Sequence, residues 1–320
     1  MKNLGLASLL SPMTEDDFFK NYWPRNPLFI SASNKLKSLI DLSELKDLNS
    51  LLSNRVLKVR ACLPDYDDEY SSLMLDPEDA LKAYRNGMTL VFDAMQTQSE
   101  GVADFLKQLR SDLGLVTGGA ADDLTRSRAM AYATPAGGRT RLHFDANANF
   151  VVQLKGTKCW WLAPNTSVNN PTERYTSCTG EITDALEKQC HAQLLDELPD
   201  DSLAFTLEPG SVLFVPRGYW HQTATDEDSL SLTFTFSQPT WADVLAKSIH
   251  GHLLQSEVWR ELADGLEGPD PKRKKEAITR FEILVKKLAE ELMGMKAANL
   301  LAHANLIKFC RVSPDRIYPE

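Results

Sequence analysis

Between residues 130 and 237 apolar and polar positions alternate with period two, the signature of strands with one buried face. Ser229-Leu-Ser-Leu-Thr-Phe-Thr-Phe-Ser237 shows it best, with hydroxyls on one face and Leu230, Leu232, Phe234 and Phe236 on the other. Met130–Thr134 predicts another strand, and Pro135-Ala-Gly-Gly138 a turn. The stretch from Arg141 through Phe150, Val151 and Val152 reads as extended backbone. Lys155-Gly156 then predicts a hairpin returning 157–162 antiparallel. Leu207-Glu-Pro-Gly-Ser-Val-Leu-Phe-Val215 reads as a turn followed by a strand, while 165–201 reads as an insertion, helical around Ile182–Leu195. Short antiparallel strands joined by Gly/Pro turns predict a double-sheet jelly roll of the cupin class.

Period 3.6 dominates on either side. Residues 13–23 predict a helix capped by Thr14, and 77–84 another. Residues 99–113 place Val102, Phe105, Leu106 and Leu109 on one helical face, and 40–52 is weakly helical. Strands are expected at 28–30, 56–61 and 88–92, with an acidic surface loop at Asp65–Glu69 and a flexible segment at 117–121. Beyond Pro239 three helices follow. Trp241, Leu245, Ile249 and Leu253 form the first stripe, and Ile278, Phe281, Leu284, Val285, Leu288 and Leu292 the second, after Pro271; the third covers 297–309. The expected organisation is 1–125 packing on a barrel, 126–239 as the barrel with its 165–201 insertion, and 240–320 as a helical module. The class is mainly β with helical additions.

Composition narrows the picture. Of 320 residues 43% are hydrophobic, enough for a sizeable core. The net charge of -9 disfavours nucleic-acid binding, which rests on clustered positive charge. Five cysteines (62, 159, 178, 190, 310) form no C-x-x-C pair and read as free thiols. With no basic leader pattern and no membrane-length apolar run, a cytoplasmic protein is expected.

The chemistry gathers at two stretches. Residues two apart on a strand share a face, so His143 and Asp145 project together. His221, after Val212–Val215 and a Pro-Arg-Gly turn, offers a third ligand. Two imidazoles and one carboxylate leave about three positions open on a metal, the arrangement of non-haem Fe(II) oxygenases. Other signals are weaker. His250 and His252 lie on different helix faces, His191 and His303 have no ligand-spaced company, and Lys272-Arg-Lys-Lys275 reads as a solvated helix start. Trp160-Trp161 reads as core with one ring near the site.

Glu208-Pro-Gly-Ser-Val-Leu-Phe-Val-Pro-Arg-Gly-Tyr-Trp-His221 resembles the second metal-binding motif of JmjC-type cupin oxygenases, the ribosomal oxygenase branch above all. Tyr132-Ala-Thr-Pro-Ala-Gly-Gly-Arg-Thr-Arg-Leu-His-Phe-Asp145 is similar to the first, and Phe18–Ile30 to that branch's amino-terminal signature. The resemblance implies a hydroxylase using Fe(II), 2-oxoglutarate and O2. It makes His143, Asp145 and His221 the iron ligands and Lys158 the partner of the co-substrate's distal carboxylate. Thr140 becomes a hydroxyl for the same carboxylate and Asn149 a site-lining amide, and Tyr132 and Thr235 join them as candidate cofactor-binding residues. Without the resemblance, a buried dicarboxylate would still need a cation such as Lys158 and a hydroxyl such as Thr140.

Two alternatives stay open: a cupin metalloenzyme that does not use 2-oxoglutarate, and a non-catalytic cupin binding module. The expected substrate is a protein or peptide rather than a tRNA or membrane. Acids gathering at 65–69, 196–201 and 226–228 would make it basic if they flank the pocket mouth. The stripe at 278–292 must be buried either on the chain's own barrel or on a second copy. The resemblance favours a homodimer.

Overall fold

The computed structural model describes residues 5–32, 34–53, 58–63, 72–115, 127–177 and 182–302. Within them the chain divides into two compact units, one from the residues up to 115 and from 127 to 238, the other from 239 onward. The expected loop at 65–69 and segment at 117–121, and His303, lie outside the described residues.

The first unit opens with short helices α1 (Leu6–Leu10) and α2 (Glu15–Asn21), the latter capped by Thr14 Oγ1 accepting from Asp17 N–H at 3.1 Å. After β1 (Leu28–Ile30) the 40–52 region breaks into α3 (Lys37–Ile40), a 3-10 turn and α4 (Leu48–Ser53) rather than one helix. Then come β2 (Val59–Cys62), β3 (Ser72–Leu75), α5 (Pro77–Arg85), β4 (Thr89–Phe92) and α6 (Glu100–Asp112). The barrel follows as β5 (Ser127–Thr134), β6 (Arg139–Phe144), β7 (Ala148–Lys155), β8 (Lys158–Ala163), β9 (Tyr175–Thr176), α7 (Asp184–Glu187), β10 (Leu203–Leu207), β11 (Val212–Val215), β12 (Trp220–Ala224) and β13 (Ser229–Phe236).

Two antiparallel sheets form, with strand orders β1-β11-β7-β13-β5-β4-β2-β3 and β10-β8-β12-β6-β9. This is the jelly roll expected, mainly β with helices added, but three connections differ from the sequence reading. The stretch around His143 is two strands in different sheets, broken at 145–147, so Asp145 stands just beyond the end of β6. Lys155-Gly156 is a crossing between sheets and not a hairpin: β8 pairs with β10 and β12, never with β7. Gln153 Nε2 pins that crossing by donating to the carbonyls of Lys155 (2.8 Å) and Gly156 (3.0 Å) and to Ser229 Oγ (2.9 Å). Gly156 has φ +61°, and a Cβ there would lie 2.1 Å from the Asp228 carbonyl oxygen. The insertion is less helical than its composition suggests, with α7 alone near 182–195, and it contributes β9 to the edge beside β6.

Alternation assigns the larger sheet's faces. Ala129, Ala131, Phe150, Leu232, Phe234 and Phe236 pack with Phe18, Phe105 and Leu109 of the helices. The opposite positions, Met130, Tyr132, Asn149, Ser231, Thr233 and Thr235, line a cavity. Each fully buried Phe adds roughly 1.5–3 kcal/mol of burial free energy, so the helical layer fixes the sheet whose other face carries the polar site. Val151, Leu162, Leu207, Leu213 and Val215 form a smaller apolar cluster.

The second unit contains α8 (Trp241–Leu253), opened by a Thr240/Asp243 capping box, α9 (Pro271–Met293) and α10 (Ala297–Ala302). His252 Nε2 lies 3.1 Å from Glu291 Oε2 of α9. Lys272 to Lys275 are solvated, as read from the sequence.

Candidate metal centre

β6 and β12 are neighbours, and their register sets His143 opposite His221. The carboxylate arrives from the turn after β6: Gly218 N–H donates to the Asp145 carbonyl at 2.8 Å, locking that turn to the 216–219 loop. The donor atoms of His143, Asp145 and His221 all lie within 4.8 Å of one another, the only such group among the described residues. Each imidazole is oriented by the carbonyl two residues before it. His143 Nδ1 is 2.7 Å from the Arg141 carbonyl and His221 Nδ1 is 2.9 Å from the Tyr219 carbonyl. An Nδ1–H donated to a carbonyl leaves the Nε2 lone pair free, which is how metal-binding histidines are held. His221 Nε2 is 3.9 Å from Asp145 Oδ2, and Trp160 stacks on the His221 ring at 5.7 Å.

Electrostatics keep this set in its ligating form. Burial pushes both imidazoles down, His143 well below its ordinary range with the neighbouring His221 adding to the effect, so both favour the neutral state. Burial pushes Asp145 up, but Arg174, the two histidines and the Asn149 amide outweigh it and hold the carboxyl at about 2. Two neutral imidazoles and one anionic oxygen fit a divalent metal with open positions, the 2-His-1-carboxylate pattern.

The cavity beside the triad has a volume of about 340 Å³. Lys158 is buried in its wall with Nζ 3.2 Å from Thr134 Oγ1, and Thr140 Oγ1 lies 2.7 Å from Thr223 Oγ1. A JmjC domain model matches residues 119–244, which include all three ligand positions and Lys158. The chain belongs to the JmjC domain family. This JmjC chain is also 31% identical over 292 residues to the uncharacterized protein YxbC of Bacillus subtilis, covering 89% of this chain and 86% of that one. Ribosomal oxygenase 2 of Rattus norvegicus is 28% identical over 263 residues, 76% of this chain but 50% of its own length, so the chain spans about half of that relative. An X-ray structure of Escherichia coli ycfD superposes with a TM-score of 0.51 at 16% identity, over 89% of this chain and 69% of that one, a likeness of fold.

The other sites expected in the JmjC chain fall in different places. Asn149 and Thr235 stand behind the ligand: Asn149 Nδ2 donates to Asp145 Oδ2 at 3.0 Å, and Thr235 Oγ1 donates to Asn149 Oδ1 at 2.8 Å. Both also line the cavity. Tyr132 lies on the cavity face with its hydroxyl 3.8 Å from Met130 Sδ. Trp160 is the ring near the site, and it also packs with the apolar cluster around Val151.

Arg174 escaped the sequence reading. It sits in the insertion with Nε 3.7 Å from Asp145 Oδ1, and nothing in its surroundings, Pro-Thr-Glu-Arg-Tyr, marks it. The insertion is tied down by Arg217, whose Nε donates to the Pro171 carbonyl at 2.7 Å. Gly218, next in sequence, has φ +84°, and a Cβ there would meet Pro171 Cδ at 2.7 Å. Gly218→Ala is therefore expected to cost roughly 1–3 kcal/mol of stability, read as a lower thermal midpoint, and to weaken metal binding in the same titration.

None of Asp196 to Asp201 or Asp226 to Asp228 lines the cavity. Glu227 accepts from Thr157 N–H and Oγ1 (2.9 and 2.8 Å), and Asp228 Oδ1 accepts from Ala136 N–H (3.0 Å), so these two acids secure turns. The charged lining residues are Arg60, Arg128, Lys158 and Arg174 against Asp145 and Glu173.

Proposed function

We propose that this protein is an Fe(II)- and 2-oxoglutarate-dependent oxygenase that hydroxylates a side chain of a protein or peptide. The observation that carries this reading is the convergence of His143, Asp145 and His221 in a cavity that also contains the buried cation Lys158. When bound, iron with 2-oxoglutarate and O2 supplies oxidative decarboxylation to succinate and CO2 together with oxygen insertion into a C–H bond. The chain's own residues do the rest. The two backbone-tethered imidazoles and Asp145 would hold the metal on one side and leave the cavity side open. Lys158 would anchor the distal carboxylate of the co-substrate, assisted by Thr134 or Thr140, because a carboxylate in a buried wall requires a charged donor. The relative named ribosomal oxygenase 2 supports the oxygenase reading. The test is anaerobic loading with Fe(II) and 2-oxoglutarate, admission of air, and NMR detection of succinate. Mass spectrometry of an exposed proteome should then find +16 Da products. Failure to form succinate with fully iron-loaded protein rejects the proposal.

The proposal includes a cytoplasmic homodimer built through the second unit. Among the described residues no helix is long and apolar enough to cross a membrane. On α9, Ile278, Phe281 and Val285 are 45%, 60% and 46% exposed, and on α8 Trp241 is 85% exposed. Apolar side chains in one helical stripe favour a partner surface, and a second copy supplies the matching one. Light scattering at micromolar concentration should give the mass of a dimer, and Phe281→Asp should give that of a monomer. A monomeric mass for the unaltered chain rejects this part.

A further inference from the structure

The cavity holds a cation that neither the metal nor the co-substrate requires. Alternation along β5 turns Arg128, Met130 and Tyr132 into the cavity. Thr134, on the same face, is the residue that Lys158 reaches. At about 3.3 Å per residue, Arg128 stands roughly 20 Å along the strand from that contact. Across the sheet, Arg128 pairs with Thr235 and Thr235 with Asn149, whose amide bonds Asp145. Two strand spacings, roughly 10 Å, therefore separate the Arg128 backbone from the residue behind the metal ligand. A co-substrate anchored at Lys158 and directed to the triad leaves Arg128 at the triad's own level, bordering the space a substrate must use.

The other cations of this wall are engaged. Arg60 makes a two-pronged pair with Asp93 at 3.2 and 3.3 Å, and Arg174 lies beside Asp145. No hydrogen bond or ion pair joins the Arg128 side chain to a described residue. Arg60 and Arg128 converge on one region, since both act on the buried Tyr132 hydroxyl, opposing the rise that burial gives it. A half-buried guanidinium in a concave wall is matched by an oxyanion, and its planar fork suits a carboxylate.

Resting on the oxygenase reading above, we infer that Arg128, backed by Arg60, is a carboxylate-binding subsite for the substrate. The polypeptide segment taken therefore carries an Asp or Glu near the residue presented to the triad. A nucleic acid is disfavoured. Its phosphates need an extended basic face, whereas these cations lie within a cavity of a chain whose net charge is -9. That same negative charge would draw any nonspecific peptide binding towards basic sequences, so a preference for acidic ones has to come from a local site.

The test measures fluorescence anisotropy of the full chain with three dye-labelled degenerate octapeptide pools, rich in Asp/Glu, rich in Lys/Arg, or neutral, and with a single-stranded RNA octamer. The unaltered chain should bind the acidic pool about tenfold tighter than the basic one, the scale of one charged hydrogen-bonded pair. Arg128→Glu should abolish or reverse that preference, and Arg128→Lys should keep most of it. Should Arg128→Glu fail to fold by circular dichroism, Arg128→Gln decides, with the preference expected to vanish. Equal, weaker or undetectable binding of the acidic pool overturns the inference. So does a preference that survives loss of the Arg128 charge, or RNA binding tighter than any peptide. Succinate formation by the same unaltered preparation reports separately on the oxygenase reading. Normal succinate without acidic preference overturns the subsite alone, and absent succinate counts against the reading beneath it.

Discussion

Asp145→Ala is expected to lower affinity for a divalent metal by more than about 100-fold, because outer-shell partners alone are worth roughly 10–100-fold and this change removes the anionic ligand itself. The structure sharpens the expectation. Asp145 is the shared partner of Asn149 at 3.0 Å and Arg174 at 3.7 Å, so its loss also leaves a guanidinium beside two imidazoles with no carboxylate between them. The positive field that now holds the Asp145 carboxyl at about 2 would then oppose a cation. Anaerobic titration with Co(II), followed by its visible absorption, measures this directly, and circular dichroism checks that the barrel stays folded. His221→Ala should behave alike. Asn149→Ala, which frees the carboxylate to rotate, should fall in the 10–100-fold range. Unchanged metal affinity in Asp145→Ala would remove the triad from consideration.

Lys158→Met is expected to leave metal affinity nearly untouched while raising the 2-oxoglutarate requirement by two orders of magnitude or more. Methionine keeps much of the stem but not the charge. Deleting one partner of a buried ion pair costs roughly 3–5 kcal/mol, and each 1.4 kcal/mol is about tenfold. Lys158 is 4% exposed, so solvent screening gives little relief. Calorimetry of 2-oxoglutarate binding to the metal-loaded protein checks it. Unchanged ketoacid affinity would move the role to another wall cation, and Arg60 and Arg174 are then the ones to replace.

How far the sequence carried the argument depends on which interactions are local. The H-x-D spacing, the Pro-Arg-Gly turn before His221 and the clean alternation of 229–236 announced both the ligands and a sheet with one polar face, and β13 turns its hydroxyls into the cavity as that alternation implies. The family pattern singles out Lys158, which the fold places in the cavity wall, but the turn before it differs from the pattern's expectation: a Lys-Gly pair after a strand signals a reversal, and reversal within one sheet looks the same as passage to another. What distinguishes them is Gln153, whose amide holds the crossing against Ser229 from far along the chain.

Period two states that a side chain has a face and never says which strand lies alongside. The sequence by itself therefore determined the strand-rich middle, the flanking helices, the three side chains that converge as a candidate metal site and the family. Only the tertiary structure decided that β4 and β2 extend the larger sheet, so that Arg60 enters the cavity wall, and that the insertion delivers Arg174 to Asp145. It also decided the sign of charge around the site. Clusters of acids are conspicuous in a sequence because they are contiguous, but Glu227 and Asp228 are spent on backbone amides, while the cations that line the cavity come from four separate strands and loops. Electrostatic potential depends on distance in space, and strand pairing sets that distance through contacts whose sequence separation carries no local signal.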